Sequence, residues 1–417
     1  MGRLALLILF LGSLAPNLLA ADWQGWRGPA ALGVSEETNL PTQWSNDQNI
    51  AWKVSLPGKG ASSPAIVGDR VYVTSQTPDT ALHVLAIDRN RGEILWDREV
   101  GRGKLKANNL HNMATPTPAA DARNVYVMFG TGDLAALDRE GKIIWQRNLV
   151  SEYGKYNFNH GYGSSPMLLN DRLYIACMHQ APSYILAVDA KSGKNIWKKD
   201  RNLEPKDEAQ DSYSSPIFAE AGLRTQLVLA GAEAINAYDP VSGEELWRLG
   251  GLKVPHHAGR TIAGPAAGEG IIVVVASGFQ NRGYMTAIKA AGHGNLSDTN
   301  RLWTYSKFAP DCPTPVIYKG NVFCIRDDGM ASCLDLKTGE PKWQERLFSE
   351  NVKVSPIAAD DKIYFTSNQA NSVVVKAEPK LHILGTNKLN EATLATPAIS
   401  NGKLFIRTDG HLYCVSK

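Results

Sequence analysis

The segment Ala86–Trp96, AIDRNRGEILW, belongs to a unit that recurs along the chain with the pattern Ala-x-Asp-x-x-x-Gly-x-x-x-Trp. The pattern returns at Ala187–Trp197 (AVDAKSGKNIW) and Ala237–Trp247 (AYDPVSGEELW). It returns with Cys for Ala at Cys333–Trp343 (CLDLKTGEPKW), and one residue shorter at Ala136–Trp145 (ALDREGKIIW). Such self-similarity restricts the chain to repeat architectures. Each copy reads as a hairpin: a strand ends in Ala-x-Asp, Asp and Gly build the turn, and the next strand ends in Trp. Trp brings a large flat surface and an N–H that needs a partner. The small residue is expected to leave room for an indole from a neighbouring unit. Ala86, Trp96, Trp145, Ala187, Trp197, Ala237, Trp247 and Trp343 are therefore read as docking residues between repeats. Asp88, Asp138, Asp189, Asp239 and Asp335 recur with the unit, so they are read as turn residues rather than acids or bases.

A second element precedes each Trp unit: a small or hydroxyl residue, then Pro, then a pair of alternating strands. Its copies are Ser63-Pro64, Thr117-Pro118, Ser165-Pro166, Ser215-Pro216, Gly264-Pro265, Thr314-Pro315, Ser355-Pro356 and Thr396-Pro397, spaced 41 to 54 residues apart. Turns such as Gly68-Asp69 and Asn401-Gly402 follow, then strands such as Val71–Val73 and Ile363–Phe365. Each unit thus holds four strands. A solenoid and a β-propeller both suit such tiling, and the chain ends discriminate. The eighth unit stops at Tyr413-Cys414 with three strands, while a Trp-bearing strand, Asn49–Val54, stands alone at the other end. The expected fold is all-β: an eight-bladed β-propeller with four-stranded blades, closed by an N-terminal strand that completes the last blade and leaves no long open edge. Trp52 supplies the last blade's dock. The expected division is residues 1–20 as signal peptide, 21–48 as an extension packed on the propeller and 49–417 as the propeller. Trp23, Trp26 and Trp44 are expected to pin the extension to the surface. Two blades are irregular. Blade five carries Ala290–Asn300 in place of the short turn, and blade seven ends in His382-Ile383-Leu384-Gly385 without a Trp, an expected loss of local stability.

Basic and acidic residues nearly balance, at 44 against 41, so nothing favours a nucleic acid or an acidic partner. Residues 1–20 combine Arg3, an apolar run Leu4–Leu14 and small residues at Ala20 and Ala21. That is the form of a secretory signal cleaved near Ala20/Ala21; the competing reading, a membrane anchor, is disfavoured by the short run and Pro16. No other stretch is long and apolar enough to span a bilayer, so the cleaved chain is expected to be an exported monomer of the periplasm or cell envelope. Five Cys remain, an odd number, so at least one is unpaired within a monomer. Cys324 and Cys333 flank a turn and read either as a disulfide across a hairpin or as two buried thiols, the latter favoured.

The docking units resemble the tryptophan-docking motifs of quinoprotein alcohol dehydrogenases and of the wider PQQ-binding-like β-propeller repeat family, which includes the outer-membrane protein assembly propeller. The resemblance runs from about Ala51 to Cys414. Trp26-Arg27-Gly28-Pro29 and Thr408–Cys414 resemble a secreted bacterial branch of that family without a settled activity. The resemblance implies the fold strongly and the function weakly, because docking residues hold blades together. In the dehydrogenases it implies a quinone stacked on two adjacent disulfide-bonded cysteines, a calcium ion held by carboxylate and amide ligands, and an Asp base. This sequence has no Cys-Cys pair, and none of the other positions is matched. Neither PQQ nor calcium is expected.

The loops entering the first strand of each blade share one face with the loops between second and third strands, and ligand sites favour such mouths. Those of blades two to five are rich in polar and aromatic residues. Asn109, His111, Tyr156, His160, Tyr162, Tyr213, His256, His257, Arg260 and Arg282 are the candidate ligand-binding residues; His179 and His411 fall on the same face. No catalytic residue and no metal ligand is assigned. The expected function is a non-enzymatic binding or scaffold propeller for an envelope protein, peptide or glycan. The alternatives are a PQQ- and calcium-dependent oxidoreductase, and a metal-dependent enzyme at a mouth where His111, His160 and His256 or His257 converge, since imidazoles suit transition metals.

Overall fold

The computed structural model describes residues 22–205, 207–254, 259–277, 283–296 and 298–417. The described residues form eight sheets, seven of four antiparallel strands and one of four antiparallel strands with a fifth, two-residue parallel strand. Blade one runs Ala65–Val67, Arg70–Gln76, Ala81–Asp88, Ile94–Arg102, and the others repeat that order. The recurring Asp residues build the turns as expected: Asp88 Oδ1 accepts the backbone N–H groups of Asn90 and Arg91, and Asp239 Oδ1 those of Val241 and Ser242. The fourth strands do not end at Trp. Trp96 is the third residue of its nine-residue strand, which runs on to Arg102. The ring closes as the two chain ends predicted, with Ile50–Ser55 pairing antiparallel to His411–Val415 and Trp52 opposite Cys414.

The docks work differently from the expectation. Ala86, Ala136, Ala187 and Ala237 lie directly across their own sheet from Trp96, Trp145, Trp197 and Trp247, so the small residue serves the indole of its own unit. The residue that admits the neighbour's indole is the turn glycine. Trp52, Trp96, Trp145, Trp197 and Trp303 lie against Gly92, Gly141, Gly193, Gly243 and Gly339 of the following blade, where an added Cβ would come within 2.5–2.7 Å of the ring. All five glycines have φ between +69° and +79°, a region that costs other residues energy. The indole N–H then donates to the carbonyl just beyond the next blade's Ala-x-Asp: Trp52 to Arg89 at 2.9 Å, Trp145 to Ala190 at 2.9 Å, Trp197 to Pro240 at 3.2 Å. Trp343 donates to Glu378 O at 3.3 Å. Blade five has no such turn, and Trp247 adapts. Its N–H donates to Gln226 Oε1, and Gln226 Nε2 donates to Ala290 O, so a side chain relays the missing contact. The inserted segment adds Gly294–Asn295 as a parallel strand beside Trp247 and Arg248.

The extension fills the other gap. In blade seven Gly385 stands opposite Val374, where the other blades carry Trp. A Cβ on Gly385 would fall 2.0 Å from the carbonyl oxygen of Thr42, so the extension lies directly on it. Trp44 N–H donates to Asn387 Oδ1 at 2.7 Å, and the Tyr364 hydroxyl donates to Pro41 O at 3.1 Å. The lost dock is thus replaced by residues more than 300 positions away. Upstream, the extension crosses the end of the axis away from the loop-rich face. Trp23 and Ile66 exchange backbone hydrogen bonds, Ala120 N–H donates to Gln24 O, and Ala358 N–H donates to Gly33 O. Arg27 is wholly buried there and donates to Pro315 O at 2.7 Å; burial lowers its guanidinium to about 9. Trp23 and Trp44 pin this segment to the propeller as expected, buried in one core cluster with residues of the blades, whereas Trp26 lines the axial cavity.

Cys324 lies opposite Ser332, and Cys333 opposite Phe323. The one-residue offset puts the two thiols on opposite faces of the sheet, since side chains alternate along a strand. Both are free and buried in different core clusters.

Candidate functional site

The strand-entering segments build an axial well by simple alternation. The residue before each Pro points inward, and so does the residue two positions earlier, because extended backbone has a side-chain period of two. The lower tier consists of Ser63, Thr117, Ser165, Ser215, Ser355 and Thr396. The upper tier draws one residue from every blade: Ala61, Thr115, Gly163, Tyr213, Ile262, Cys312, Lys353 and Leu394. The enclosed volume is about 310 Å³. Hydroxyls of the lower tier stitch successive blades together. Ser63 N–H donates to Thr117 Oγ1 at 2.9 Å, Thr117 N–H to Ser165 Oγ at 3.0 Å, Ser165 N–H to Ser215 Oγ at 2.8 Å, and Thr314 N–H to Ser355 Oγ at 3.0 Å. Blade five has glycine at this position. Gly264 makes room for Trp26, whose ring edge would be 3.1 Å from an added Cβ.

Charged groups form a chain along the rim. His111 Nε2 lies 2.6 Å from the carbonyl oxygen of His160, and His160 Nε2 lies 3.0 Å from Glu208 Oε1. Arg260 reaches back to Glu208 at 3.7 Å and donates to Asp311 Oδ2 at 3.0 Å. Asp327 Oδ1 accepts the N–H groups of Asp311 and Cys312, and its other oxygen pairs with Lys353. Burial raises the Asp311 carboxyl above its usual range, although Arg260 pulls the other way. Burial, with Asp327 and Asp311 beside it, holds the Cys312 thiol well above its ordinary value. Burial likewise lowers His111 and so favours a neutral ring.

Of the residues expected at the mouth, the structure brings His111, His160, Tyr213 and Arg260 together around the well. Asn109 lies just outside, in adjoining hollows of the same face, and its neighbour Asn108 takes the place in the well. Tyr156 and Tyr162 are corrected. They stack on each other at 5.4 Å against the core shared by blades two and three, and burial pushes both phenols well above their usual range. Their segment read as a polar and aromatic loop, but three aromatic residues in seven positions, Tyr156, Phe158 and Tyr162, had enough apolar area to fold inward. His256, His257 and Arg282 lie outside the described residues. His179 is buried and accepts the Asn157 N–H on Nδ1 at 3.1 Å, and His411 pairs with Glu391 at 2.9 Å.

Burial lowers His179 to about 4 from an ordinary value of 6.5. The folded state therefore disfavours the charged ring, and stability present above pH 6.5 is lost as pH falls toward about 4. His179→Gln is expected to flatten that part of the curve of melting temperature against pH. A variant curve parallel to the parent's between pH 4 and 6.5 would show that His179 is not the titrating group.

Among the described residues, the one group with metal-like spacing is Asp311, Cys312 and Asp327. Lys353 already neutralises Asp327, and Arg260 engages Asp311. Of the expected convergence of histidines only His111 and His160 are described: His111 Nε2 faces a carbonyl and His160 Nε2 a carboxylate. Sequence reasoning missed Trp26, Asp311, Cys312, Lys353 and the inward role of the hydroxyls. A signal existed: every upper-tier residue stands two positions before the residue preceding Pro.

Comparison with known proteins places this architecture. The family described as outer membrane protein assembly factor BamB matches residues 32–200 and 181–417. The BamB of Yersinia pestis is 21% identical over 77% of this chain and 78% of its own length. A polyvinylalcohol dehydrogenase of Pseudomonas sp is 23% identical, but the match covers 28% of that protein. Among solved structures, BamB from Moraxella catarrhalis superposes with a TM-score of 0.65 at 14% identity, over 88% of this chain and 97% of that one. Quinohemoprotein alcohol dehydrogenase from Comamonas testosteroni gives 0.66 at 14% identity, over 94% and 80%. No helix among the described residues is long and apolar enough to cross a membrane. With its eight blades, its docked tryptophans and a profile match along almost its whole length, this chain belongs to the propeller family described as outer membrane protein assembly factor BamB.

Proposed function

We propose that this chain is an exported, monomeric propeller of the periplasm or cell envelope that works by binding, and that its partner approaches the loop-rich face. One observation carries the reading: the axial well is closed at one end by Trp26 and Arg27 and framed at the other by loops whose charged side chains are paired with one another. A site arranged this way offers shape and hydrogen bonds. It offers no activated nucleophile, since its thiol is held protonated by burial. The relatives support the reading, because the family and its Yersinia member are named as outer membrane protein assembly factors.

The quinoprotein alternative is less well supported by the residues present. PQQ carries three carboxylates, while the two cations of the well, Arg260 and Lys353, are already engaged by Glu208, Asp311 and Asp327. Calcium takes roughly six to eight oxygen ligands, and the two carboxylates nearest the well are committed to those cations. Cys312 has no cysteine neighbour in sequence. These residues do not fit the pair.

The test is site-specific photocrosslinking in the exporting cell. A benzophenone side chain at Leu110, exposed on the mouth, is expected to capture a discrete envelope partner. One at Leu223, fully exposed in the first-to-second strand turn of blade four on the opposite face, is expected to capture none. Equal capture at both positions, or capture at Leu223 alone, would overturn the reading. So would a stoichiometric rise in melting temperature on adding PQQ with calcium.

A further inference from the structure

The ligand chemistry of the well follows from which hydrogen-bonding groups it leaves over. Thr117, Ser165, Ser215 and Ser355 each accept a backbone N–H from the preceding blade. None of the four donates a hydrogen bond to any described residue. A hydroxyl in that state still carries its proton and a second lone pair. The lower tier is therefore a ring of donors held in place by the blade-to-blade bonds. At the rim the surplus has the opposite sense: Asp311 Oδ1 is buried with no partner among the described residues. A buried acceptor left so costs free energy until something donates to it.

The floor adds a flat apolar surface. Trp26 lines the cavity, its ring edge lies against Gly264, and the Arg27 guanidinium sits 5.7 Å from its ring centroid. Arg27 is wholly buried and backs one face of the indole, and the ring borders the cavity. The charge balance is close to neutral, with two cations held by three carboxylates, which disfavours an anion such as a phosphate. A ligand suited to this well must donate and accept in alternation around its edge, present C–H groups to an indole, carry little charge and fit about 310 Å³. Small-molecule sites begin at roughly that size.

We propose that the well binds one sugar ring of a neutral saccharide, with a ring face against Trp26 and its hydroxyl groups between the Ser/Thr ring and Asp311. This rests on the binding reading above and gives its ligand a class.

The test is saturation-transfer NMR on the exported chain with methyl glycosides of glucose, galactose, mannose and N-acetylglucosamine, followed by maltose, cellobiose and chitobiose. At least one is expected to show transfer to its ring C–H protons. Trp26→Ala and Asp311→Asn are each expected to weaken it by about tenfold, the scale of one lost contact. Asp311→Asn preserves the side chain's shape, so it remains informative where Trp26→Ala disturbs folding; a cooperative melt identifies which variants are folded. Silence across the panel, or affinity unchanged in folded Asp311→Asn, overturns the proposal. If the Leu110 crosslink persists while the glycosides are silent, the binding reading stands and the saccharide is wrong. Loss of the crosslink with glycoside binding retained places the fault in the protein-partner reading instead.

Discussion

Deletion of Asn49–Val54 is expected to abolish cooperative unfolding of the whole chain. The strand supplies the outer edge of blade eight, pairing from Ile50 to Ser55 with His411–Val415. It also supplies Trp52, which lies against Gly92 of blade one and donates to Arg89 O. Without it the ring has an open seam, and an unpaired strand edge is a site of aggregation. The deletion further joins Gln48 directly to Ser55, shortening the link between the propeller and the extension that floors the well and covers Gly385. Differential scanning calorimetry of the parent and the deletion decides the matter. A deletion variant that melts in one transition as sharp as the parent's would falsify closure by this strand.

Trp197→Ala is expected to destabilise the fold by about 3–5 kcal/mol, the usual range for truncating a buried aromatic residue. Trp197 is 9% exposed, packs against Gly243 of the next blade and donates to Pro240 O. Truncation leaves a void between blades three and four, while Pro240 O keeps the Tyr174 hydroxyl at 2.9 Å as a donor. Gly243 cannot close the gap, since its φ of +70° disfavours any larger residue. The control is the adjacent Ile196→Ala. Ile196 is 40% exposed, and surface changes of this kind usually stay within about 0.5 kcal/mol. Chemical denaturation of the two variants should separate them clearly; equal midpoints would mean that the Trp197 dock contributes nothing to inter-blade stability.

The two repeats carry most of the architecture within short windows. The Asp of each unit hydrogen-bonds the backbone two or three residues on, and the Gly adopts the one conformation the turn needs, so each hairpin is written locally. Closure was legible because an unfinished last unit and a solitary Trp strand have only each other as partners. The docking geometry was half legible. Trp was right, but the partner taken to be Ala is Gly, because Ala is already opposite the Trp of its own sheet. Tyr156 and Tyr162 were misplaced because aromatic residues in a loop-like segment have the same local pattern whether they face solvent or a core.

The sequence by itself determined the all-β class, eight units and the closing strand; the two-residue period before each Pro also marks the side chains that face the axis, a signal that sequence reasoning did not use. These follow from interactions between residues near one another or in equivalent repeat positions. Only the tertiary structure decided that the well has a floor and that blade seven's absent dock is covered by Thr42 and Trp44. It alone showed that Arg260 binds Asp311 and that Lys353 binds Asp327. Those contacts join non-equivalent residues far apart in the chain, and no periodicity records them. Burial of apolar area and satisfaction of buried polar groups select them only once the ring is assembled.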